Sequence, residues 1–376
     1  MVIRLDDGSK LMDFYPLTLT RPIGNLRMGI FTNDERWQLL LPECTIAWAS
    51  EFNNSSAKFA NSDKGIRVNA CVIPNHDIVA SLKNLASNAK LMRGDLWIAT
   101  NGTGLDGTIE YDGADFTLID QRWDLYKKNG EVLVNDFNLI SAGRASRQLS
   151  SSNTLIGDPT QIFIEEGAKV EAAILNTTDG PIYIGKNAEI MEGSMVRGPF
   201  AMCENSALKM GTKIYGPTTL GPHCKVGGEV NNCIFYAYSN KGHDGFLGNS
   251  LIGEWCNLGA DTNTSNLKNN YGLVKAYSYK SGIEEQTEVQ FMGLTMGDHS
   301  KCGINTMFNT GTVVGVSSNV FGADFPPKFI DSFTWGSEGD KYDFDKALVS
   351  ANNMMTRRGI SLSDDEIAIL KSIAAK

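Results

Sequence analysis

Residues 182–227, IYIGKNAEIMEGSMVRGPFAMCENSALKMGTKIYGPTTLGPHCKVG, decide the fold. Within them Ile184, Ile190, Val196, Met202, Leu208, Ile214, Leu220 and Val226 fall six residues apart without a slip. A helix repeats its apolar face about every 3.6 residues and a lone strand every two, so neither produces this spacing. A coil of short strands does, with each apolar residue entering a narrow shaft and small residues turning the corners. Roughly 18 residues, three hexads, complete one triangular turn. The pattern predicts an all-β parallel β-helix, which we place at residues 146–335.

Working outward, the period returns at Ile252 and Leu258, then at Met296, Cys302, Phe308, Val314 and Val320. Glycine often follows the apolar slot, as at Gly185, Gly221, Gly253, Gly259, Gly297 and Gly315. Two stretches read as insertions: a short corner loop at 176–180, and a longer one over 236–245 that holds Lys241 and His243. Loops that leave a rigid scaffold are where function concentrates. Of the four histidines, His76 opens a helix, and His223 and His299 sit at coil turns; all three read as structural or surface residues. His243, flanked by Gly242 and Gly245, suits either an ordinary loop or a general base, because imidazole ionises near neutrality. Phe325-Pro326-Pro327 is expected to end the coil.

The chain has 376 residues, enough for two or three domains with cores of their own. A formal net charge of −9 argues against nucleic acid or an anionic membrane as the main partner, so any phosphate-bearing ligand needs a local basic or backbone-amide site. Seven scattered cysteines form no C-x-x-C pair, which suits reduced thiols and a cytoplasmic protein. No signal peptide or membrane span is expected, since charges interrupt the start at Arg4, Asp6 and Asp7 and no apolar run is long enough.

Residues 1–145 alternate strands and helices, predicting an α/β domain with parallel pairing. Val2–Leu5, Thr45–Trp48, Arg67–Ile73 and Leu96–Ala99 read as strands; Asn33 caps a helix over 34–40, and Asn75 caps one from His76 to Leu85. After the first strand, the turn at Gly8 with Lys10, Arg21 or Arg27 could hold a triphosphate, or could simply be a surface loop. Asp95, beside Gly94, could hold a magnesium ion on nucleotide phosphates, or belong to an ordinary turn.

Pro16-Leu17-Thr18 and Pro22 resemble the P-L-T-x-x-x-P signature near the start of sugar nucleotidyltransferases, and Gly94-Asp95 resembles that family's G-D metal motif. The first glycine pair is missing and Ile23 replaces the lysine after the proline. Farther along, His243 to Gly248, Ile252-Gly253 and Asn257 to Leu267 resemble, without a gap, the acetyltransferase half of the bifunctional UDP-N-acetylglucosamine enzymes. That resemblance implies a reduced, Rossmann-like nucleotidyltransferase domain joined to a left-handed β-helix, assembled as a homotrimer. It implies His243 as general base, with Lys241, Phe246, Asn257, Ala260 and Asn266 at the substrate. It also implies acetyl-CoA as acyl donor, a sugar phosphate as acceptor, and UTP or another nucleoside triphosphate with Mg2+ for the front domain. Phe246, Asp261 and Leu267 depart from the family's tyrosine, glycine and tyrosine. The basic residues for the sugar phosphate are left open among Lys241, Lys225 and Lys268.

Residues 336–376 are expected to form a helical cap. Asp343 to Arg358 reads as a helix with Phe344, Leu348 and Met355 on one stripe, and Ser363 to Glu366 as a capping box. Three functions compete on this reading: a two-domain acyl- and nucleotidyltransferase, a nucleotidyltransferase whose coil only trimerises it, and a non-catalytic sugar-nucleotide-binding scaffold.

Overall fold

The computed structural model describes residues 1–49, 65–103 and 106–376. Two compact units can be told apart, and the division does not fall at one point of the chain. The first comprises Met1–Phe14, Arg21–Leu26 and Phe31–Arg122; the second comprises Tyr15–Thr20, Arg27–Ile30 and Trp123–Lys376.

The first unit is an α/β layer. Strand Val2–Asp6 lies between Thr45–Trp48 and Ile66–Asn69 and pairs parallel with both. Beyond Ile66–Asn69 the sheet turns antiparallel, through Leu96–Asn101 to Ala89–Arg93. The all-parallel expectation therefore holds for only part of the sheet, because Ala89–Arg93 and Leu96–Asn101 are joined by a hairpin too short for a crossover. The helix at Asn33–Leu40 starts one residue earlier than its sequence suggests. Thr32 is the N-cap, and its N–H donates to the Glu35 carboxylate at 2.7 Å. Asn33 instead donates to the carbonyls of Ala70 and Val72, both at 3.0 Å. Asn75 caps His76–Lys83 as expected, accepting from Ile78 N at 2.8 Å.

The second unit is built on a parallel β-helix with three faces. One face runs from Ile162–Ile164 to Phe329–Ile330, a second from Lys169–Val170 to Thr334–Trp335, and a third from Thr154–Ile156 to Phe246–Gly248. Every hexad residue from Ile184 to Val226 lies buried in one apolar cluster filling the shaft. The coil continues past Phe325-Pro326-Pro327: Phe329–Ile330 still pairs parallel with Val313–Val314. The prolines occupy a connection between strands, where no ladder N–H is required.

The expected insertion over 236–245 is not one. Asn240–Lys241 pairs in register with Lys225–Val226 below, and Phe246–Gly248 with Glu229–Asn231. The repeat looked broken there because the coil is shortened: Thr219 pairs with Ile234 and Lys225 with Asn240, 15 residues apart where the coils below are 18, and the inward slot above Val226 holds Lys241. The larger excursion is at 267–293, which carries an antiparallel hairpin of Lys275–Ser278 and Ile283–Gln286. At the far end, helices Phe344–Thr356 and Asp364–Ala374 pack Ala347, Leu370 and Ile373 against Val316 and Phe333. Among the described residues, no helix is long and apolar enough to cross a membrane.

Candidate functional site

A groove of about 780 Å³ runs along the second face of the coil, a size suited to a cofactor or substrate. Its floor follows from strand register. Lys225 pairs with Asn240, Asn240 with Asn257, and Asn257 with Lys301, so these outward side chains stand in one row across successive coils. Asn257 and Ala260 lie on this groove, as does His243 on the exposed corner loop just after Asn240–Lys241. Trp255, Leu258 and Ile304 supply apolar surface. The Asn240 Oδ1 is buried and has no hydrogen-bond donor.

Lys241 is placed differently from the substrate contact the resemblance implies. Its side chain is 1% exposed and points into the shaft. The ammonium donates to the carbonyls of His243 (2.9 Å), Gly227 (3.2 Å) and Asp244 (3.3 Å). Burial pushes its pKa down to about 8. Lys241 therefore fastens the backbone that carries His243, and all three of its donors are committed to that task. Phe246 and Asn266 do not line the groove either. The Phe246 N–H donates to Asn263 Oδ1 of the next coil at 2.9 Å. Asn266 donates to Asn249 Oδ1 at 2.7 Å, beside Gly248. Of the basic candidates, Lys225 lines the groove, whereas Lys268 reaches Leu273 O at 3.4 Å.

The other histidines have structural settings. His223 stacks on Tyr238 with ring centroids 4.7 Å apart, and Tyr238 stacks on Trp255 at 4.1 Å. All three take positive φ at one coil corner, and burial holds the His223 pKa below its ordinary value. His299 is buried at the same kind of corner, and His76 begins its helix on the surface.

Of the nucleotide-binding candidates, Lys10 and Arg21 belong to the first unit and Arg27 to the second. Lys10 pairs with Asp120 at 2.5 Å, Arg21 is buried, and Arg27 donates to Ile30 O at 2.6 Å. Asp95 is exposed in the two-residue hairpin turn between Arg93 and Leu96. Among the described residues, no cluster of three or more His, Cys, Asp or Glu side chains could hold a metal. A Mg2+ ion at Asp95 would draw most of its oxygen ligands from substrate phosphates and water. No step of nucleotidyl transfer is derived through it.

Sequence reading missed the contribution of the C-terminal helix. Asn353, Met354, Arg357 and Arg358 line the groove opposite no carboxylate, for none is among the lining side chains. The only signal was a pair of adjacent arginines at a helix end, a pattern equally expected from the helix dipole.

Residues 2–145 match the family model described as sugar nucleotidyl transferase. A bifunctional protein GlmU from Methanocaldococcus jannaschii is 31% identical over 118 residues, 31% of this chain and 28% of that protein. GlmU from Wigglesworthia glossinidia brevipalpis is 26% identical over 211 residues, covering 55% of this chain and 38% of that protein. Over these stretches the chain is similar to the GlmU proteins. It spans 28% and 38% of the length of these two curated relatives. Among solved structures, the polySia-specific acetyltransferase NeuO matches 49% of this chain and 77% of its own at 11% identity, with a TM-score of 0.21, too low to bear on the fold.

Proposed function

We propose that the chain is a transferase that moves an acyl group from acyl-CoA to the amine of an amino sugar phosphate in this groove. The supporting observation is the exposed His243, held by the buried Lys241 on the rim of a groove floored by Asn240 and Asn257. In this reading the neutral imidazole takes a proton from the attacking amine as the C–N bond forms at the thioester carbonyl. The Asn257 amide is suited to donate to the tetrahedral oxyanion. Collapse breaks the C–S bond, and the imidazolium returns the proton to the leaving thiolate. Sugar-1-phosphate nucleotidyl transfer belongs to the first unit in the same reading, supported by the family match over residues 2–145. The assembly is proposed as a homotrimer; Ile174 and Met195 stand exposed in register on adjacent strands of the third face, with Ile156 exposed two positions farther along the strand before them, apolar surface that a neighbouring coil would cover.

The test follows thiol release from acetyl-CoA in the presence of glucosamine 1-phosphate. Wild type should release CoA, and His243→Ala should lose about 100-fold or more of that rate. An undiminished rate in the variant removes His243 from the chemistry. If wild-type protein releases no thiol but forms pyrophosphate from a nucleoside triphosphate and a sugar 1-phosphate, the coil is a scaffold only.

A further inference from the structure

Successive coils are stitched together at their corners as well as along their strands. After the second-face strands the turn usually spans four residues, as at 191–194, 209–212 and 259–262. One N–H of each such turn reaches a carbonyl of the turn below. Gly193 donates to Ala172 O (2.9 Å), Gly211 to Glu192 O (3.0 Å), Asp261 to Asp244 O (3.1 Å) and Asn305 to Ala260 O (2.8 Å).

One level departs from this rule. Between Val226 and Glu229 stand only Gly227 and Gly228, so this turn is short. The turn above it, 242–245, has the usual four residues and carries His243. Among the described residues, no backbone N–H of 242–245 donates to the short turn beneath. The rung that the other levels share is missing under His243.

Lys241 bridges the gap from inside the shaft. Its ammonium donates to Gly227 O (3.2 Å) on the short turn, and to His243 O (2.9 Å) and Asp244 O (3.3 Å) on the turn above. Three donors thus meet three acceptors. A Cβ built on Gly228 would stand 2.9 Å from this Nζ and 2.6 Å from Gly245 O, so the short turn needs glycine to leave the ammonium its room. The slot itself does not ask for a charge, because Val226 below and Leu258 above fill theirs with aliphatic groups. Burial penalises the ammonium, and the nearby Asp244 and Asp261 carboxylates and Cys233 and Cys302 thiols offset part of that penalty. A buried cation where an apolar side chain would pack more cheaply calls for a role other than packing.

We propose that Lys241 is a positioning residue for acyl transfer: it stands in for the missing rung and so fixes the turn from which His243 faces the groove. The inference rests on the proposed function, in which His243 is the base. Lys241 touches no ligand, since its side chain is sealed in the shaft. A reacting group misplaced by about 1 Å loses on the order of 100-fold in rate, so one rung under this turn suffices to control turnover.

Two variants test this. Lys241→Met keeps the length and removes the donors, whereas Lys241→Gln retains a neutral donor; circular dichroism checks that each folds. With acetyl-CoA and glucosamine 1-phosphate, the kcat of Lys241→Met should fall about tenfold or more while KM for acetyl-CoA stays within about twofold, and Lys241→Gln should lie between it and wild type. Hydrogen exchange read by mass spectrometry follows the turn itself, because the amides of Glu229 and Asp261 donate to Gly245 O and Asp244 O, both at 3.1 Å. Exchange in their peptides should quicken about tenfold in Lys241→Met, with the Asn305 peptide unchanged. A wild-type kcat in Lys241→Met overturns the proposal, as does a loss carried by KM or unchanged exchange at both amides. If Lys241→Met does not fold, Lys241→Gln is judged by the same criteria. Wild-type protein that releases no thiol, with exchange still responding as expected, removes the acyl-transfer reading and leaves Lys241 as the anchor of the turn.

Discussion

Lys241 is the residue at which sequence and structure diverge most usefully. A cation in the slot that holds Val226 one coil below pays desolvation but gains three carbonyl partners. The unfolded lysine keeps its proton to the ordinary 10.5, while the folded one releases it at about 8. Between those values the unfolded chain binds more protons, so this group's contribution to stability rises with pH; it is complete above 10.5 and is lost as pH falls through about 8. The swing is of the order of 3 kcal/mol. Chemical denaturation of wild type and Lys241→Met across this range should show their stability difference moving in favour of wild type as pH rises. A difference that stays flat with pH would mean the ammonium is not buried as described.

At the scale of the coil, glycine after the apolar slot has a steric cause. A Cβ built on Gly221 would lie 1.4 Å from Tyr236 O, the backbone of the next coil. Gly221→Ala must push the coils apart locally and should cost about 3 kcal/mol or more, read as a lowered denaturation midpoint; a loss below about 0.5 kcal/mol would show that the coils slide freely. The repeat that carries this geometry was legible because a period of six has few other sources. So were the helix Phe344–Thr356 and the capping box at Ser363, where the Glu366 carboxylate accepts from Ser363 N at 2.8 Å. The 236–245 coil was not legible, since a coil shortened to 15 residues shifts the period and an inward lysine then fills a slot that pattern reading expects to be apolar. The 267–293 excursion also escaped notice, because the period simply resumes after it at Met296. Within the site, His243, Asn257, Ala260 and Lys225 could be found from local sequence. Arg357 and Arg358 could not, because they lie about one hundred residues beyond His243 and only the folding back of the tail brings them to the same groove.

For the molecule as a whole, the coil acts as a ruler: parallel register sets Lys225, Asn240, Asn257 and Lys301 in line, and the C-terminal helix lays its arginines beside them. All seven cysteines are free and buried, so no disulfide holds this arrangement; the filled shaft does. A crystal structure with CoA and glucosamine 1-phosphate bound tests the central claim most directly. The account predicts the thiol end directed to the His243 corner and the sugar amine within hydrogen-bond reach of its imidazole, in a three-fold assembly. Both ligands lodged away from this groove, with His243 facing only solvent, would contradict it.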